Sequence, residues 1–202
     1  AVKCFSKYGV RCMVMPPVQM GSQNPGQRDL PFCVHYRYKT QRTILSDLVA
    51  NLYHQGMRKL LIINGHGGNK NMIRDLTIDY PDFMIATGEW FKMADPKEFF
   101  EQPGDHADEV ETSVMMYYHP EWVTLSEAGP GAGKGFRIEA LKNHAVWMPR
   151  NWGLISPHDT GVGDPSRSTA EKGRRFAEAV TDRYARFLND FTKVEKEADL
   201  YE

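Results

Sequence analysis

Apolar positions along the chain follow two spacings, one typical of helices and one typical of buried strands. The spacing after Thr40 predicts a helix that Thr40 caps and that ends near Gly56. Its apolar positions are Ile44, Leu45, Leu48, Val49 and Leu52. Continuous apolar runs at 12–18, 59–63 and 83–87 predict short buried strands, the first of which ends at two prolines.

Further helices are predicted between and after these strands. One opens at Asn69 or Lys70, a second covers about 109–118, and a long C-terminal helix begins at the capping pair Ser168 and Glu171. The glycine- and proline-rich stretch before that last helix reads as a loop with one or two short elements. Strands alternating with helices indicate βα units and a mostly parallel sheet covered on both faces, which is an α/β fold.

Composition and charge narrow the function classes. The 202 residues carry 25 basic and 26 acidic side chains, a length that fits one domain. A net charge of −1 without a basic run gives no electrostatic footprint for nucleic acid or an anionic membrane. Three cysteines without CxxC spacing favour a reducing cytoplasm over a secreted setting. The chain opens in what the pattern predicts to be the middle of a helix, so we expect further residues upstream of Ala1.

The first candidate site is the turn at 64–69, Asn-Gly-His-Gly-Gly-Asn, directly after the predicted strand 59–63. Ligands of open α/β sheets bind beyond the carboxyl ends of the strands, so His66 is placed to bind a metal. Gly67 and Gly68 let the backbone pass close to a metal or substrate. The alternative is a tight strand-to-helix turn with an incidental histidine. A phosphate-binding loop is disfavoured because no Walker-type Gly-Lys-Ser/Thr end is present.

The second candidate site is the segment 105–111, where one histidine and four carboxylates fall within seven positions. Metal ligation and proton transfer both need such side chains close together. The alternative is structural: Asp108 and Glu111 have the spacing of an N-cap and its N3 partner, and His106 would then be an ordinary surface histidine.

Taken together, the two segments resemble the creatininase family of metal-dependent amidohydrolases. Residues 64–69 are similar to that family's signature turn after a central strand, and 106–113 to its His-Ala-Gly-Glu-x-Glu-Thr-Ser segment. Residues 163–165 and 169–173 resemble its C-terminal Gly-Asp-Pro and Thr-x-Glu-Lys-Gly stretch. The matches occur in the family's order, from the first residues to about residue 190.

The resemblance implies a three-layer α/β/α fold and a dinuclear site for a divalent metal, commonly zinc or manganese. His66 would bind one metal and Glu111 the other, and a bridging water with a lowered pKa would be the nucleophile. His106 matches the family's catalytic histidine, which passes a proton to the leaving group. Trp90 falls where the family has a substrate-stacking tryptophan, with a core aromatic as the alternative.

Three departures from the family pattern shape the expected site. The Glu-x-His-Gly segment and a following Asp, which supply the remaining ligands, are absent from this sequence. Asp108 replaces a glycine, and residues 32–41 replace the segment His-x-x-Phe-Pro-Gly-Thr. We therefore expect His66, His106 and Glu111 to line one cavity with an open far wall. Metal should be absent or weakly held there unless upstream residues complete the site.

Residues 32–41, together with 21–26 and 103–106, resemble the family branch that hydrolyses 3-dehydro-scyllo-inosose in inositol catabolism. His35, Tyr36 and Arg37 would then line the substrate pocket; the alternative is a structured loop or a subunit contact. A creatinine-type cyclic amide is a second possible substrate, and a non-catalytic, metal-poor family member is the rival interpretation. The resemblance also implies a homo-oligomer, often a hexamer in this family.

Overall fold

Helices and strands alternate in the central part of the chain, as the sequence predicts. The computed structural model describes residues 1–157 and 160–202. The helices are α1 (Val2–Tyr8), α2 (Tyr38–His54), α3 (Lys70–Ile78), α4 (Glu109–Tyr118), α5 (Glu139–Lys142), α6 (Trp152–Ile155) and α7 (Ala170–Lys193). The strands are β1 (Lys59–Asn64) and β2 (Met84–Glu89). None of the helices in the described ranges is long and apolar enough to cross a membrane.

The chain divides into two compact units, each assembled from separate segments. Unit 1 comprises Ala1–Ser22, His35–Ala94 and Ala179–Glu202, and unit 2 comprises Gln23–Val34 and Asp95–Glu178. Helix α7 contributes its N-terminal part to unit 2 and the remainder to unit 1. The largest fully buried side chains are Cys4, Met72 and Leu76 in unit 1 and Glu109, Ser113 and Phe176 in unit 2.

The two strands of unit 1 confirm the predicted parallel pairing. Lys59 of β1 lies opposite Met84 of β2, and the register continues to the strand ends. Parallel neighbours need a crossover connection, which α3 supplies while it buries Met72 and Leu76. The prediction that β1 is fully buried is wrong, because its side chains are mostly half-buried and Ile63 is 54% exposed.

The apolar run at 12–18 is not a strand, which corrects the prediction for this segment. It has no regular secondary structure, and the side chains of Met13, Val14 and Met15 are exposed. Pro16 and Pro17 lack the backbone N–H that a sheet ladder requires. A prediction based on hydrophobicity alone therefore overestimates the tendency of this segment to pair as a strand in a sheet.

Two helices begin at residues other than those the capping patterns predict. Helix α2 begins at Tyr38, so Thr40 lies inside the helix and does not cap it. At the start of α7, the hydroxyl of Thr169 accepts a hydrogen bond from a first-turn amide. The buried hydroxyl of Ser168 instead donates to a carbonyl of α4. In contrast, α4 begins and ends as predicted.

Gly173 lets α7 approach α4 closely within unit 2. A Cβ at Gly173 would lie 1.9 Å from the carbonyl oxygen of Ser113. Alanine is the better helix former by about 1 kcal/mol, but overpacking against backbone costs about 1–3 kcal/mol. We therefore expect Gly173→Ala to lower the free energy of unfolding, measured in urea. Gly135→Ala is the control, because its added methyl meets open space, and equal stability of both variants would contradict this contact.

Candidate active site

Two asparagines brace the turn that carries His66. The buried side chain of Asn64 donates to the His66 carbonyl at 2.8 Å and accepts from the His66 amide at 3.2 Å. Asn69 donates to Asn64 Oδ1 at 3.4 Å and accepts from the Ser22 amide at 3.0 Å. These bonds fix the backbone on both sides of His66. Sequence reasoning gave neither asparagine this bracing role.

Gly68 is the glycine of this turn that the geometry requires. A Cβ there would lie 2.6 Å from the Ser22 carbonyl oxygen and 2.7 Å from Nε2 of His66. The backbone therefore passes directly beside the half-buried His66 ring, whereas its predicted approach to a metal or substrate stays a prediction. A Cβ at Gly67 would meet nothing within 4 Å, so the same requirement does not apply there.

The loop residues predicted to line a substrate pocket lie in the same unit. The amide of Tyr36 donates to the carbonyl of Gly21 at 3.0 Å, and Gly21 lies against the side chain of Asn69. His35 and Tyr36 are half-buried, whereas Arg37 is exposed. The loop thus neighbours the glycine-rich turn, and the role of its side chains in substrate binding stays a prediction.

Trp90 follows β2 in a short 3-10 turn of unit 1. Its ring is half-buried and packs edge-to-face on Phe91, with centroids 5.9 Å apart. Stacking of this ring on a substrate stays a prediction.

In unit 2, the structure brings His106 and Glu111 together at the start of α4. Nδ1 of His106 lies 3.2 Å from Oε2 of Glu111, and the same oxygen accepts from the Ala107 amide at 2.8 Å. Both bonds fall on Oε2, so among the described residues Oε1 is left for another ligand, such as a cation. The predicted convergence of His66, His106 and Glu111 on one cavity stays a prediction.

These contacts shift the pKa of both side chains. The hydrogen bond with Glu111 raises the pKa of His106 above its ordinary value, although burial acts in the opposite direction. The nearby negative charges of Asp105 and Asp108 raise it further. Burial acts to raise the pKa of Glu111, but the hydrogen bonds from His106 and the Ala107 amide outweigh it and lower that pKa. The pair therefore favours an imidazolium beside a carboxylate.

The capping alternative is correct for Asp108. Its buried carboxylate accepts from the Glu111 amide at 2.9 Å, as an N-cap does, and also from the Gly104 amide. Burial raises the pKa of Asp108. The side chain of Glu111 does not complete a capping box, because it turns to His106 and Ala107 instead.

The ring of His106 is also held by Trp152, which sequence reasoning missed. The two rings pack edge-to-face, with centroids 5.5 Å apart and planes at 87°. Trp152 is only 4% exposed, and its indole N–H donates to the Thr160 carbonyl at 3.0 Å. The backbone of His106 exchanges hydrogen bonds with Val162. Trp152 lies in the glycine-rich stretch, where no periodic pattern signals a buried position.

A cleft of about 420 Å³ opens beside Glu111 in unit 2. This volume lies within the range of roughly 300–1,000 Å³ that small-molecule sites occupy. Apolar side chains, including Met115, Trp122 and Leu125, form much of its lining. Among the described lining residues, the charged ones are Glu111 and Glu127, so the cleft suits a neutral ligand better than an anion.

The described part of the chain offers metal-binding donor types without a complete set. Histidine nitrogen and carboxylate oxygen are common ligands of zinc, and a catalytic zinc usually takes three protein ligands. Among the described residues, no group of three or more His, Cys, Asp or Glu side chains is arranged to hold a metal ion.

Curated proteins similar to this chain include an inosose hydrolase and peptide peptidases. A 3-dehydro-scyllo-inosose hydrolase of Thermotoga maritima is 24% identical, and the match covers 89% of this chain. A mycofactocin precursor peptide peptidase of Mycobacterium ulcerans is 32% identical over 61% of this chain. The chain spans 65% of the length of the first protein and 46% of the second.

Solved structures share the fold and the predicted α/β class. A Bacteroides fragilis protein assigned as a creatinine amidohydrolase is 51% identical with a TM-score of 0.85, covering 98% of this chain and 78% of that one. Creatininases described as a Zn–Zn type and as an Mn form match with TM-scores of 0.66 and 0.68. Their identities are 17% and 19%, over 93% of this chain and 78% of each of theirs. The sequence profile described as creatininase, creatinine amidohydrolase, matches residues 2–188. Because that match covers most of this chain, the chain belongs to the creatininase family.

Proposed function

We propose that this protein is a metal-dependent hydrolase that acts on a small cyclic substrate. The observation that carries the proposal is the pairing of His106 with Glu111 beside the 420 Å³ cleft. The cleft supplies space for a small ligand, the carboxylate has an oxygen left for a cation, and the imidazole is held in one orientation. The curated relatives are described as hydrolases of different substrates, which supports the reaction class.

His66 and Glu111 are the proposed ligands of a dinuclear site for zinc or manganese, with His66 on one metal and Glu111 on the other. Such a cation would supply a Lewis acid and an activated water. The Zn–Zn and Mn descriptions of related creatininases support this choice of metal. The described residues hold fewer donors than a complete metal site needs.

His106 is the proposed proton carrier. Its Nδ1–H donates to Glu111, so the neutral ring has its lone pair on Nε2 and can take or return a proton there. Trp152 packs against the ring while Glu111 holds Nδ1. Proton transfer can therefore proceed without reorientation of the ring.

A 3-dehydro-scyllo-inosose-type ring is the proposed substrate. The Thermotoga maritima relative matches 89% of the chain, and the acidic side chains in the cleft favour an uncharged ring over an anion. Trp90, His35, Tyr36 and Arg37 are proposed to contact it, as the sequence resemblance implies. The alternative substrate is a creatinine-type cyclic amide, and its hydrolysis is measured in the same assay.

A homo-oligomer is the proposed assembly. Several large apolar side chains are exposed in the single chain, among them Phe32, which is fully exposed, and Trp147, which is 74% exposed. Such side chains are typical of surfaces that become buried on association.

The test of the proposed function is metal-dependent turnover by the purified protein. After chelation and re-addition of zinc or manganese, we expect ring opening of 3-dehydro-scyllo-inosose at a rate above that of creatinine or peptide hydrolysis. His66→Ala should lower bound metal and turnover together, because ligation sets occupancy. The exposed His54 of α2 provides the control variant, His54→Ala. Full turnover without metal, or full metal and rate in His66→Ala, would overturn the proposal.

A further inference from the structure

Glu109, the first residue of α4, is completely buried, and both of its carboxylate oxygens are engaged. Oε2 accepts hydrogen bonds from the amides of Glu101 and Gln102, at 3.0 and 2.6 Å. Oε1 accepts from Nζ of Lys172 at 2.5 Å. A buried charge is costly unless it is paired and hydrogen-bonded, and these three donors meet that condition.

The lead-in loop, residues 101–107, contains no helix or strand of its own, so it is held by hydrogen bonds from outside. Backbone bonds tie Asp105 and His106 to Val162. Three carboxylates at the N-terminus of α4 accept hydrogen bonds from four backbone amides of the lead-in loop. Glu109 holds Glu101 and Gln102, Asp108 holds Gly104, and Glu111 holds Ala107. His106 lies between the last two of these amides, so its backbone position depends on the conformation of the loop as well as on its hydrogen bonds with Val162.

We propose that Glu109 is a positioning residue, which fixes the start of the lead-in loop and thereby sets the orientation of His106. Glu109 acts through the loop backbone. The catalytic half of this inference rests on the proposed function of His106, whereas the structural half does not.

Because Lys172 occupies one carboxylate oxygen, Glu109 must be ionised to bind the ammonium and the loop amides at the same time. Besides Glu109, the Lys172 ammonium contacts Glu101 Oε1 at 3.4 Å and the Arg167 carbonyl at 2.9 Å. A glutamine at position 109 has one acceptor oxygen and one NH₂ group. Its oxygen can accept from the loop amides or from the ammonium, but not from both. Its NH₂ group, itself a donor, then faces the remaining donors and cannot bond to them. Neutralisation of Glu109 should therefore release the loop even though the size of the side chain is preserved.

Glu109→Gln tests the proposal through two independent readouts. The first is the NMR signal of the His106 Nδ1 proton in metal-free protein, which the bond to Glu111 protects from exchange. We expect this signal to be lost and the Glu101 and Gln102 amides to exchange faster. The second readout is steady-state kinetics with the preferred substrate. We expect kcat to fall about 10–100-fold, as for other supporting residues of metal sites, while KM and bound metal stay at wild-type values.

A rescue variant and a matched control separate positioning from general destabilisation. Adding Lys172→Met removes the ammonium, so the glutamine oxygen can serve both loop amides, and the Nδ1 signal and kcat should recover. Glu101→Gln makes the same charge change in the same ion-pair network. Its side chain is 52% exposed and accepts from Lys172 and Arg167, so signal and kcat should not change.

Three outcomes would overturn the inference. A normal Nδ1 signal with normal kcat in Glu109→Gln is the first, and loss of the signal with normal kcat is the second. The third is a fall in kcat that only follows the fraction of unfolded protein in urea, with the signal intact. If the wild-type protein turns over no substrate, the proposed function fails. Loss of the Nδ1 signal in Glu109→Gln, with recovery in the double variant, would still support the structural half.

Discussion

Glu111→Gln is expected to abolish bound metal and turnover together. The amide keeps the size of the side chain and can still accept a hydrogen bond from Ala107, but it loses the charge that binds a dication. Loss of a direct ligand should exceed the roughly 10–100-fold penalty seen when an outer-shell partner of a metal site is removed. Metal analysis by mass spectrometry and turnover with added metal measure both effects.

Glu127→Gln is the matched control for this experiment. Glu127 is the second acidic residue lining the 420 Å³ cleft, and it is exposed. We expect its substitution to leave bound metal unchanged. Full metal occupancy in Glu111→Gln would remove Glu111 from the ligand set. If turnover fell in that case, Glu111 would act only by orienting His106.

His106→Ala is expected to retain metal and to lose about 10²–10⁴ in rate, the usual contribution of general acid–base catalysis. The reason is that the imidazole holds Glu111 Oε2 and leaves the proposed cation-binding oxygen Oε1 untouched. Bound metal is measured on the purified variant, and kcat is measured with saturating substrate.

His119→Ala provides the matched control for His106→Ala. His119 lies just beyond the end of α4, and its Nδ1 is 3.2 Å from Oε1 of Glu121, the same distance as in the His106 pair. It is half-buried, and we expect its loss to leave kcat unchanged. Wild-type kinetics in His106→Ala would exclude that histidine from proton transfer, and loss of metal would make it a ligand.

Elements with a strong local signal could be predicted from the sequence. Helix α4 runs over 109–118 as expected, because Asp108 is an N-cap whose partner amide lies three residues away. Strands β1 and β2 follow from apolar runs free of proline. The run at 12–18 is equally apolar, but its prolines cannot donate to a ladder, so pairing capacity and not hydrophobicity decides the outcome.

Contacts between distant parts of the sequence could not be predicted in this way. Trp152 meets His106 across more than forty positions, and Lys172 meets Glu109 across more than sixty. Only the fold brings these side chains together, so no spacing rule reveals them. The turn at 64–69 is an intermediate case, because Asn64 and Asn69 bond within their own turn while Asn69 also holds Ser22.

The three carboxylates of the first α4 turn make that segment intolerant of any change in length. Successive residues of a helix point about 100° apart, so one inserted or deleted residue would turn each carboxylate towards a neighbour's partners. Asp108, Glu109 and Glu111 would lose their loop amides in a single step. Insertions for tags or grafted loops therefore belong elsewhere in the chain.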